Sequence, residues 1–64
     1  MKDYRELREQ AERVREDLET LRERLETGGY AVGVKSVMSR DIAESWYRIQ
    51  DVIQTCDGQA TAAV

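Results

Sequence analysis

The sequence predicts an all-α protein: a two-helix antiparallel hairpin with a coiled-coil-like heptad seam, dimerising into a four-helix bundle. Three observations predict it. Tyr4, Leu7, Ala11, Val14, Leu18, Leu21 and Leu25 recur at gaps that alternate three and four, a spacing that lines them up on one narrow stripe of an α-helix. A second stripe with the same spacing, Ile42, Trp46, Ile49, Ile53 and Cys56, follows after Gly28-Gly29. The chain is also only 64 residues long, and a domain of that size buries about 60% of its unfolded surface, which leaves it marginal without a staple or a partner.

Helix 1 is expected over about 3–27. No Pro or Gly interrupts it, and Glu, Arg, Leu and Ala, all good helix formers, dominate. Pairs such as Glu9 with Arg13 stand one turn apart in the favourable orientation and contribute about 0.2–0.5 kcal/mol each. Gly28-Gly29 should end the helix, because glycine adopts the left-handed conformation of a C-cap without steric penalty. With Tyr4 as heptad position a, the e column is Arg8, Arg15 and Arg22, and the g column is Asp3, Gln10, Asp17 and Arg24. An antiparallel self-pair of this helix sets Arg against Arg, whereas a parallel pair matches Asp3 with Arg8 and Asp17 with Arg22. Charge alone therefore favours parallel self-pairing, by a modest margin because exposed pairs contribute about 0–1 kcal/mol each.

The connection is expected over 28–36. It carries Tyr30, Val32 and Val34 at period two, so it reads either as a lid over the open end of the helices or as a short strand in need of a partner. These three residues are the expected partner-binding site. Helix 2 is expected over about 37–57, with Ser36, Ser39 or Asp41 as its cap and Asp41 to Glu44 at capping-box spacing. Uncharged flanks and the added apolar surface of Met38 and Tyr47 give it a broader apolar face than helix 1, and a broad face needs more than one neighbour. The hairpin would thus occupy 1–58, with a flexible tail over 59–64. Leu7, Val14, Leu18, Leu21, Leu25, Ile42, Trp46, Ile49 and Ile53 are the expected oligomerisation residues.

Composition closes off several chemistries. There is no histidine and one cysteine, so neither a Cys–His pair nor a zinc site with several such ligands can be assembled, and an intrachain disulfide is excluded. No catalytic constellation and no phosphate-binding glycine loop is present. We therefore expect no enzyme, no metal and no cofactor. The net charge of −3 disfavours nucleic acid, whose binders carry a basic excess. No apolar run is long enough for a bilayer span, and the N-terminus enters charged helix without the apolar core of a secretory signal, so a reducing cytoplasm is expected.

Ser39-Arg40-Asp41-Ile42-Ala43-Glu44 resembles the first helix of helix-turn-helix DNA readers over six residues only. Trp46-Tyr47-Arg48-Ile49 then continues the helix where that motif needs a tight turn, so the family's fold and function do not carry over. Trp46 and Cys56, both on the apolar stripe, read first as core residues. The end Ala60-Thr61-Ala62-Ala63-Val64 is similar to the degradation tags gripped by bacterial unfoldase–protease machines. The functional expectation is a small non-enzymatic protein–protein interaction module, an adaptor or regulator, acting as a homodimer on an unidentified protein partner. The alternatives are a nucleic-acid-binding regulator using Arg and Lys on one bundle face, or a purely structural oligomerisation unit.

Overall fold

The computed structural model describes residues 3–62. They form two helices, α1 (Tyr4–Thr27) and α2 (Val32–Ala62), packed against each other as a hairpin. Asp3 caps α1: its Oδ1 accepts the backbone N–H groups of Arg5 at 3.0 Å and Glu6 at 3.4 Å, satisfying two of the donors that the first turn of a helix leaves free. At the other end Gly28 closes the last turn, and Gly29 takes the left-handed conformation with φ +73°, where a Cβ would be strained. A side chain at Gly28 would collide with the Tyr30 ring and the Arg24 carbonyl, so the chain reverses tightly over this glycine.

The connection is shorter than the composition of 28–36 suggested. α2 begins at Val32 rather than near residue 37, and Ser36, Ser39 and Asp41 lie inside it. The Ala31 carbonyl accepts the Lys35 N–H at 2.9 Å to open the helix, and the Lys35 ammonium reaches the Glu26 carbonyl at 3.5 Å, a cation at the negative end of α1. Val32 and Val34 are good strand formers at strand spacing, but an isolated strand has nothing to pair with, and helix lets their backbone groups bond locally. The expected break at Asp57-Gly58 is also absent. Helix continues to Ala62, because a glycine costs a helix only about 1 kcal/mol against Ala and Gln and Ala follow it. Residues 59–62, expected to be part of a flexible tail, are therefore helical; of the end on which the degradation-tag reading rests, Ala60–Ala62 are helix and Ala63-Val64 lie outside the described residues.

The core is small. Among the described residues, the buried apolar side chains are Ala11, Leu25, Ile53 and Cys56. Tyr4, Leu18, Ile42, Trp46 and Ile49 are half-buried in the same interface. Among the described residues, no helix is long and apolar enough to cross a membrane. Since Leu25 and Ile53 are only 5% and 4% exposed, truncating either to Ala should cost about 2–5 kcal/mol, read as a drop in the urea midpoint of unfolding. Equal midpoints for the variants and the parent chain would place the core elsewhere.

Candidate functional site

The α1 stripe does not face α2 as a whole. Its a column, Tyr4, Ala11, Leu18 and Leu25, is buried or half-buried against α2, while its d column stays in solvent, with Leu7 57%, Val14 38% and Leu21 50% exposed. The other half of the contact is made by the e column and its neighbour: Arg8, Glu12 and Arg15 are half-buried. Of the expected oligomerisation residues, Leu18, Leu25, Ile42, Trp46, Ile49 and Ile53 are thus brought together inside one hairpin, and Leu7, Val14 and Leu21 are left out of it.

The cause of this rotation is polar. Trp46 is half-buried, and its Nε1–H donates to Glu19 Oε1 at 3.1 Å. The Arg15 guanidinium lies 5.9 Å from the centre of the Trp46 ring and also donates to Gln50. Arg8 Nε bonds Asp57 Oδ1 at 2.6 Å and its other arm reaches Glu12. The hydrogen bond and charge of Asp57, with Glu12 adding to them, raise the Arg8 pKa above its ordinary value. Turning the d column toward α2 instead would strip Trp46, Gln50 and Asp57 of these partners. The Arg column that would repel itself in an antiparallel α1 pair is therefore occupied within the chain.

These bridges mark one edge of the hairpin, built from the e side of α1 and from Trp46, Gln50 and Asp57 of α2. The opposite edge is set by helix geometry. On α1 it is the d column. On α2 it is the column that flanks Ile42, Ile49 and Cys56 on the side away from Gln50: Met38, Ser45 and Val52. Met38 is 49% and Val52 44% exposed. Leu7, Val14, Leu21, Met38 and Val52 thus form one exposed apolar strip along the molecule, and Met38 and Val52 are members that the sequence reading did not single out for this role. The signal was there: both sit seven residues from Ser45, one column off the main stripe.

The expected partner-binding residues cluster at the turn. Tyr30 rests an edge on Gly28 with the rest of its ring exposed, Val32 is 81% exposed in the first turn of α2, and Val34 is exposed two residues on. On the bridged edge a shallow depression of about 270 Å³ is lined by Leu18, Glu19, Arg22, Ile42, Ala43, Trp46 and Tyr47. Trp46 meets Tyr47 edge-on there, with centroids 5.3 Å apart. Among the described residues no group of three Cys, Asp or Glu side chains is placed to hold a metal ion. No protein-family model matches the sequence, no curated protein matches it, and no solved structure matches it.

Arg15 is the joint between the polar edge and the Trp46 ring. Arg15→Ala should cost about 0.5–1 kcal/mol through the lost cation–π contact, measured by urea titration followed through Trp46 fluorescence. An unchanged midpoint would mean that neither the Trp46 contact nor the Gln50 hydrogen bond of Arg15 adds to stability.

Proposed function

We propose that this protein is a small non-enzymatic interaction module, an adaptor or regulator, that works as a helical homodimer in which two hairpins close into a four-helix bundle. The observation that carries this reading is the exposed apolar strip formed by Leu7, Val14, Leu21, Met38 and Val52. A compact monomer of 7.4 kDa exposes about 4,200 Å² by the usual scaling, and this chain exposes 5327 Å². The excess, on the order of 1,100 Å², is of the size that one protein–protein contact removes from a subunit. In this reading the seam residues divide their work. Leu18, Leu25, Ile42, Trp46, Ile49 and Ile53 hold the hairpin, while Leu7, Val14 and Leu21, with Met38 and Val52, hold the dimer.

Tyr30 and Val32 then stand at the turn end of the bundle, with Val34 beside them where the exposed edge of α2 begins. Exposed aromatic and aliphatic groups at a rigid turn suit a protein partner, and the single cysteine suits a reducing cytoplasm.

Two measurements test this. Sedimentation equilibrium at micromolar concentration should return twice the 7.4 kDa chain mass, and replacing Leu7, Val14 and Leu21 together by Ser should reduce it to the chain mass. A folded monomer from the parent chain would overturn the dimer. Replacing Tyr30 and Val32 by Ser should leave the dimer mass unchanged while abolishing capture of the protein partner by tagged protein. Capture that survives would move the partner site onto a helix face.

A further inference from the structure

Three contacts between the helices share one offset: Arg8 with Asp57, Arg15 with Gln50, and Glu19 with Trp46. Each step up α1 is matched by an equal step down α2, as two antiparallel helices of equal rise require. That offset is a ruler for any helix set beside α1 at the same height as α2.

We propose that the exposed apolar edge is covered by the same edge of a second copy, with the two-fold axis parallel to the helices, so that α1 of each copy packs antiparallel against α2 of the other. The proposal rests on the homodimer reading above and supplies its arrangement. Rotation about an axis parallel to the helices leaves heights unchanged, so α1 meets the partner's α2 at the offset already present inside each hairpin. The side chains flanking the strip are the g column of α1, Asp3, Gln10, Asp17 and Arg24, and the equivalent column of α2, Val34, Asp41, Arg48 and Thr55; all eight are exposed. Two steps up from Arg15 and two down from Gln50 set Asp17 against the partner's Arg48. Five steps on from Glu19 and Trp46 set Arg24 against the partner's Asp41. Gln10 falls beside the partner's Thr55. Both ion pairs occur twice in the dimer, and no like charges meet along this seam.

The apolar columns fit the same placement. At this offset the partner's Val52 falls within one residue of the height of Val14, the partner's Ser45 within one residue of that of Leu21, and the partner's Met38 level with Thr27, beyond Leu21. Side chains pair in layers of this kind across antiparallel helices of bundles, and Ser45 at the middle lets the backbones approach. The edge runs the length of a molecule about 50 Å long between Cα atoms, so its contact with a second copy extends along both helices. The competing arrangement turns the axis across the helices and lays α1 on α1. Centred for full overlap, the same offset then brings Asp17 onto the partner's Asp17 and Arg48 onto the partner's Arg48. Like charges in register penalise that arrangement.

The test uses two single-cysteine chains, Val14→Cys and Val52→Cys, each in a Cys56→Ala background and each checked for parent-like helicity. Disulfides need Cα atoms within about 7 Å. Mixed and mildly oxidised, the two chains should form a covalent heterodimer, and Val14→Cys alone should not. Cross-linking of Val14→Cys to itself, or none in the mixture, overturns the arrangement. Independently, Asp17→Arg and Arg48→Asp should each weaken dimerisation about five- to ten-fold, and the double swap should restore it. Charge variants that leave dimerisation unchanged also overturn the arrangement. Sedimentation of the parent chain separates the two failures: a monomer removes the homodimer reading and this arrangement with it, whereas a dimer that fails both tests removes the arrangement alone.

Discussion

A helix with a single neighbour can bury only one strip of its surface, and the rest of this structure depends on that constraint. Each of the two helices carries more apolar surface than one contact covers. The hairpin must therefore choose which columns to bury, and the choice falls on the a and e columns of α1. The result is a core of four buried apolar side chains among the described residues and a second apolar strip left in solvent. A ledger of contacts inside the hairpin cannot explain a stable fold by itself, because a core this small barely offsets the entropy of ordering the chain.

Polar groups decide the direction of the choice. Trp46 is the bulkiest side chain in the interface, and its indole N–H needs an acceptor as well as apolar cover for the ring. Glu19 and Arg15 supply both a hydrogen bond and a guanidinium over the ring. Arg8, held between Asp57 and Glu12, repeats the arrangement near the open end. Each bridge is weak in water. Together they fix the rotation and the height of one helix against the other, which is a matter of specificity more than of strength. The same bridges occupy Arg8 and Arg15, while Arg22 pairs with Glu26 one turn on, so the Arg column is engaged within the chain.

Much of the fold was legible in the sequence. The seven-residue stripe from Tyr4 to Leu25, the Asp3 cap and the two glycines gave α1 its course, because these are local signals with local causes. The start of α2 was not legible. Val32 and Val34 at period two look like strand, and Ser36 to Asp41 look like caps, yet the turn at Gly29, the Ala31 carbonyl and Lys35 on Glu26 begin the helix earlier. The end of α2 is hidden for a related reason: Gly58 is a breaker only when nothing helical follows it, and here Gln59 and Ala60 do. Of the candidate partner site, Tyr30, Val32 and Val34 are all exposed, but as a turn and a first helical turn rather than as a strand.

Periodicity alone determined that this chain makes two amphipathic helices joined by a glycine reversal, since apolar spacing, caps and helix propensity act within a few residues of one another. It also determined that an assembly larger than one helix was needed to cover the stripes. Which half of each stripe lies inside the hairpin, and which half stays open, was decided only by tertiary structure. A heptad pattern gives the a and d columns equal claim to a neighbour; the balance between them lies in Arg15, Glu19, Gln50, Trp46 and Asp57, residues that are distant in the sequence and meet only when the two helices are laid side by side.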